Sequence, residues 1–174
     1  LTSLVLFSPT IDNFFVGDDF TWLKWAADCG INCNPVSQAI GYFTSSDGFF
    51  YRPGTKLYFL IMYSSFWLNQ TIYHIVSLSL HLGVAVLFFF LALNVLKNRM
   101  LAFFASLIFL VMSGATEAIF WISSTGYLFS ALFGLSSILL FGMWEDKKKI
   151  HYLLVSLLFI SLALMFHELG VVYP

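Results

Sequence analysis

Charge is what this chain of 174 residues has least of. Eight Lys and Arg and nine Asp and Glu make up 10% of it and leave a formal net charge of −1. So weak a basic field cannot gather a polyanion, which excludes nucleic acid as a partner. Cysteine is scarcer still: Cys29 and Cys33, in "CGINC", lack the second pair that a zinc site needs. They read as two unrelated thiols or, in an oxidising compartment, as a disulfide. No internal repeat is found. An initiator Met and a polar tail are also missing, so the chain is expected to be a piece of a longer protein.

Against these absences, 60% of the residues are hydrophobic and 20% aromatic, and the mean hydropathy is +0.88. That composition belongs to a membrane protein rather than a soluble domain. Residues 1–11 are too short to span alone and read as the end of a first spanning helix. A signal peptide is the competing reading, but its charged n-region and cleavage site are missing. Residues 12–54 hold five of the nine acids and form a long extramembrane loop. Within it, "DDFTWLKWAADC" mixes aromatics with charge and predicts a short interfacial helix. "TKLYFLIMYSSFWLN", 55–69, is short for a span and is expected to lie along the surface or enter partway, so that 12–69 is one outer loop with interfacial helices. Four spans then follow, at 71–96, 100–112, 126–144 and 150–166, with the start of a further segment beyond. The expected fold is an all-α, polytopic helical bundle.

Orientation follows from the lysines. The two tight loops carry Lys97, Arg99, Lys147, Lys148 and Lys149, five of the eight basic residues, and short basic loops face the cytoplasm. Alternation then gathers Asp18, Asp19, Asp47, Arg52, Glu117, His167 and Glu168 at the extracytoplasmic mouth.

Each polar group has a plain reading beside a functional one. Gln70, His74, Ser77 and His81 recur at i, i+4, i+7 and i+11 and share one helix face, which should point into the bundle or a watery cavity. For His81 the reading is a core histidine bonded to a neighbouring helix; for His74 both readings stand. One metal does not easily take both rings, set about 10 Å apart along the axis. Asp18 and Asp19 read as the cap and first turn of a helix, or as a general base with a second acid that orients an acceptor or binds a cation. Arg52, in Tyr51-Arg52-Pro53, offers a planar fork suited to phosphate. Lys56 reads as snorkelling toward lipid headgroups. Glu117 and Glu168 each follow an apolar span, and Asn69-Gln70-Thr71 is a sequon that abuts the membrane.

Taken in order, an acidic pair (Asp18, Asp19), Tyr51-Arg52-Pro53, H-x6-H (His74, His81), T-E-A-x-x-W-I (Thr116 to Ile122) and E-x-x-V-x-x-P (Glu168 to Pro174) resemble the N-terminal half of the GT-C membrane glycosyltransferases. The likeness is to the protein O-mannosyltransferase-like group that includes the transmembrane and tetratricopeptide repeat proteins. The chain departs from the family pattern at three places: Ser77 for Asn, Ser113-Gly114 for His-Pro, and His167 for Lys before the late Glu.

The resemblance implies a multi-span enzyme that moves a sugar from a polyprenyl-phosphate carrier to a protein or glycan acceptor at the extracytoplasmic face, with a divalent cation in some members. Carried onto this sequence, Asp19 or Asp18 is the base, and also the metal ligand if there is one. Arg52 with His167 meets the donor phosphate, and Tyr51, His74, Glu117 and Glu168 shape the acceptor pocket or hold the other groups. The rival is a non-catalytic carrier of lipid-linked or small solutes, whose polar groups would line a path at mid-membrane.

Overall fold

A computed structural model describes residues 7–28, 34–45, 51–112 and 116–172, and no strand occurs among them. Cys29, Cys33, Asp47, Ser113, Gly114 and Pro174 lie outside the described residues. After a 3-10 turn at Ser8–Asp12 come α1 (Asp19–Ala27), α2 (Pro35–Thr44), α3 (Pro53–Phe66), α4 (Gln70–Leu96), α5 (Arg99–Val111), α6 (Thr116–Phe120), α7 (Thr125–Lys147) and α8 (Ile150–Phe166). Further 3-10 turns cover Ile122–Ser124 and Glu168–Val172.

Two hairpins form the most apolar part of the described chain. Lys97 and Lys148 end α4 and α7 in the left-handed region, at φ 51° and 54°, and so reverse the chain within two residues. Asn98 starts α5 by accepting from the Met100 and Leu101 amides at 3.0 and 3.2 Å. The partners α4 with α5 and α7 with α8 pack along each other, and α4 packs on α7. Apolar side chains such as Val86, Phe90, Phe103, Ile108, Leu157 and Leu158 remain exposed on the outside. So much uncovered apolar surface suits lipid rather than water.

Of the four expected spans, two are long and apolar enough to cross a membrane: Gln70–Leu96, and Ile122–Lys147 with its leading 3-10 turn. Helix α5, with 13 residues, and α8, with 17, are apolar but shorter than the ~20 residues a bilayer needs. The polar stripe on α4 faces inward as its spacing predicts. His74 Nε2 donates to the Asn13 carbonyl at 3.1 Å, Ser77 Oγ meets Thr125 Oγ1 at 3.0 Å, and His81 Nε2 donates to the Leu110 carbonyl at 3.1 Å. Three turns of one helix thus hold the N-terminal loop, the start of α7 and the end of α5.

The end away from the lysine turns differs from expectation in three places. Helix α3 does not lie on a lipid surface: Pro53 to Lys56, Tyr58 to Leu60 and Met62 are buried against α1, α2, α7 and α8. Its apolar residues fall on every side, as in a core helix. Lys56 does not snorkel: 4% exposed, it sits over the rings of Trp25 and Tyr42 at 4.9 and 5.7 Å. Helix α1 forms where an interfacial helix is predicted, but Trp22, Leu23 and Ala26 pack on α3, with Trp22 stacked on Phe59 at 5.7 Å. Two glycines permit the close packing of α3 on the α7–α8 pair. A Cβ on Gly54 would stand 3.0 Å from the Met165 carbonyl, and one on Gly126 would stand 2.8 Å from Thr55 Oγ1.

Candidate functional site: a polar belt around one mouth of the bundle

The N-terminus of α7, the C-terminus of α8 and the loops before α1 and α3 meet at the end opposite the two lysine turns. The belt they form begins with Asp19. Its carboxylate is 1% exposed; Oδ2 accepts from the Val16 amide at 3.0 Å, and Oδ1 from the Ser123 amide at 2.6 Å and from the Ser123 hydroxyl. A carboxylate oxygen offers two lone pairs, so Oδ1 is filled and Oδ2 keeps one. Asp19 therefore fastens the N-terminal loop to the turn before α7. Its neighbour Asp18 is exposed and, although it stands at the helix N-cap, makes no side-chain cap bond. Neither acid caps α1 as the pattern suggests: Asp18 has helical dihedrals at the cap, and Asp19 reaches back and across instead.

Ser124, next along, lines a cavity of about 310 Å3 together with Glu117, Ala118 and Tyr127. Glu117 is exposed. Tyr127 forms the far wall and stacks on the imidazole of His167, with ring centroids 3.9 Å apart. His167 leads to Glu168, and Glu168 to Arg52: Nε to Oε2 at 2.8 Å and NH2 to Oε1 at 2.5 Å, a fork held on both prongs. The Arg52 bonds hold the Glu168 carboxyl down at about 2, below its ordinary 4.5. Thr55, three residues past Arg52, donates to the Phe166 carbonyl at 2.8 Å and pins α3 beside this pair.

The surroundings of His167 disfavour its charged form. It is 4% exposed, and burial, then the Arg52 charge, lowers its pKa despite the opposing pull of Glu168. The ring is neutral at pH 7 and lends no cation to a phosphate. Its Nδ1 accepts the Leu169 amide at 3.1 Å, which makes Nε2 the protonated nitrogen, and that buried N–H has no acceptor. The Trp121 indole N–H is a second buried donor left without one.

The other expected site residues divide. His74, 1% exposed, is spent on the Asn13 carbonyl and so positions the loop that Asp19 fastens at Val16. Tyr51 is exposed and donates to the Phe43 carbonyl at 3.0 Å, which ties α2 to the chain before Arg52. Toward a cation Asp19 has left only the one open lone pair of its buried Oδ2, beside the exposed Asp18. No cluster of three potential metal ligands gathers among the described residues. Sequence reasoning missed Ser123, Ser124 and Tyr127; the run "WISSTGY" after T-E-A offered only ordinary helix-start residues. No protein-family model, curated protein or solved structure matches the chain.

Proposed function

We propose that the chain is the membrane module of a GT-C-type glycosyltransferase. It would move a sugar from a polyprenyl-phosphate carrier to a hydroxyl of a protein or glycan acceptor at the extracytoplasmic face. In this reading α5 and α8 cross with α4 and α7 as a multi-pass bundle, and the lysine turns face the cytoplasm. The observation that carries it is a cavity at one mouth lined by Glu117, Ser124 and Tyr127, with Tyr127 stacked on His167 next to the Arg52–Glu168 ion pair, and with Asp18 exposed beside the Asp19 that bonds Ser123.

The chemistry runs as a displacement. The acceptor oxygen bonds to the sugar C1 as the bond from C1 to the phosphate oxygen breaks, and the leaving polyprenyl phosphate keeps that electron pair. Asp18 takes the acceptor's proton, since it is exposed and makes no cap bond, whereas Asp19 is buried and already accepts three hydrogen bonds. Arg52 meets the phosphate, with the Glu168 side chain, 57% exposed, yielding its place on the fork. A phosphate oxygen at this mouth would also supply the acceptor that the His167 and Trp121 N–H groups lack. Each unmatched buried donor costs about 1–3 kcal/mol, which a ligand oxygen removes on binding. The carrier reading finds less support: near the middle of α7 and α8, Ser137 and Ser156 bond to each other, at 3.0 Å between hydroxyls.

The test is transfer from labelled polyprenyl-phosphate sugars in membranes that hold the full-length parent. Labelled acceptor from at least one donor supports the reading. Folded protein that transfers from none contradicts it.

A further inference from the structure

The most strained point in the backbone serves neither the belt nor the core. Trp67, the residue after α3, stands at φ 53° and ψ −135°, a region that suits glycine and penalises any side chain with a Cβ. The turn is held there from both sides: the Trp67 amide donates to the Tyr63 carbonyl at 2.9 Å, and the buried Tyr73 hydroxyl donates to the Trp67 carbonyl at 3.1 Å. The side chain so presented is 62% exposed, so core packing does not explain the strain. Its ring and that of Tyr63 sit 4.8 Å apart, tilted by 37°, along a groove of about 330 Å3 between α1, α2 and α3.

Two features fix the kind of occupant. Among the described lining residues, which include Ala26, Pro35, Gln38, Leu60 and Ser64, none is charged, so the groove offers nothing to a phosphate. The aromatic wall carries two neutral donors, the Trp67 indole N–H and the Tyr63 hydroxyl, at the mouth of the groove. Flat apolar faces rimmed by neutral donors match a pyranose ring, which shows C–H groups on its faces and hydroxyls around its edge. An interfacial anchor would need the indole at the right depth but not a strained backbone to aim it.

We propose that the Trp67–Tyr63 groove binds a neutral pyranose unit of a glycan, at a place separate from the polar belt. The inference does not depend on the transferase reading, since binding needs no sugar donor and no reaction.

Saturation-transfer NMR on the full chain in phosphatidylglycerol nanodiscs tests it, with methyl α-mannopyranoside, methyl β-glucopyranoside, diacetylchitobiose and soluble phosphocholine as probes. Saturation should reach the ring C–H protons of at least one pyranoside. The Trp67→Gly variant should bind it about tenfold more weakly, equivalent to roughly 1.4 kcal/mol, while melting no lower than wild type because the strain is relieved. Tyr63→Phe, which removes only the hydroxyl, should weaken binding without altering the melting temperature. No saturation of any pyranoside by folded wild type would overturn the proposal, as would unchanged binding by Trp67→Gly. Trp67-dependent saturation of the choline methyls alone would overturn it in favour of a lipid headgroup seat.

Discussion

Replacing Asp19 by Ala should unfold the protein far more readily than replacing Asp18, although the two acids are adjacent. At Asp19 the change strips the Val16 amide, the Ser123 amide and the Ser123 hydroxyl of a buried charged acceptor, through bonds that are themselves part-buried. Bonds to a charged group are worth roughly 1.5–3 kcal/mol each, and an orphaned buried donor costs a comparable amount. The three are not additive, and the Ser123 hydroxyl can turn to another acceptor, so the loss should be about 3–5 kcal/mol. Asp18 is exposed and makes no cap bond, so Asp18→Ala should stay within about 0.5 kcal/mol of wild type. For a chain of this length the Asp19 loss corresponds to a fall in Tm of roughly 6–20 °C. Thermal unfolding in micelles, followed by helical circular dichroism and by tryptophan fluorescence, reads the difference; Trp22, on the same helix as Asp19, lies in the buried core. If the two alanine variants melt within about 2 °C of each other, the fastening role argued for Asp19 is wrong.

Three further outcomes follow from the same geometry. Glu168 has a folded pKa of about 2 against an ordinary 4.5, so what its pair with Arg52 contributes is fully present above about 4.5 and is lost as the pH falls through 2. Arg52→Gln should return its titration toward 4.5, read by NMR of 13C-labelled Glu carboxyls. Gly126→Ala should cost about 1–3 kcal/mol, because its Cβ would meet Thr55 Oγ1 at 2.8 Å and the Phe166 carbonyl at 3.1 Å. Gly142→Ala, with nothing within 4 Å, should be neutral or stabilising by up to about 1 kcal/mol; equal melting of the two would refute the packing argument. A cysteine placed at Lys148 should react with an impermeant thiol reagent only from the cytoplasmic side and one at Asp18 only from outside. The reverse pattern would invert the proposed orientation.

Helix placement was largely legible in the sequence because apolar run length and basic turns are local signals. The spans predicted at 71–96, 126–144 and 150–166 match helices at Gln70–Leu96, Thr125–Lys147 and Ile150–Phe166. The inward stripe of His74, Ser77 and His81 followed from helical periodicity alone. Helix α2 was missed although its start carries a local signal: the Asn34 side chain accepts from the Val36 amide at 2.9 Å, and Pro35 opens the helix. The partners at the mouth were not legible, because they depend on tertiary packing. Asp19 meets Ser123 across 104 positions and Arg52 meets Glu168 across 116, and nothing in a short window announces either. The same holds for Lys56, whose flanking residues suit a membrane surface while α1 and α2 close over it. That is why "DDF" reads as two equivalent acids in the sequence, while in the fold one is a buried tie and the other an open carboxylate.

Sugar transfer by Asp18→Asn bears most directly on the proposed chemistry. It should be measured in membranes of the full-length parent against wild type at matched expression, with melting recorded on the same preparations. Removing a general base costs about 10^2 to 10^4 in rate, so transfer should fall by at least about a hundredfold with the melting temperature unchanged. Transfer equal to wild type from a folded Asp18→Asn protein would contradict the account.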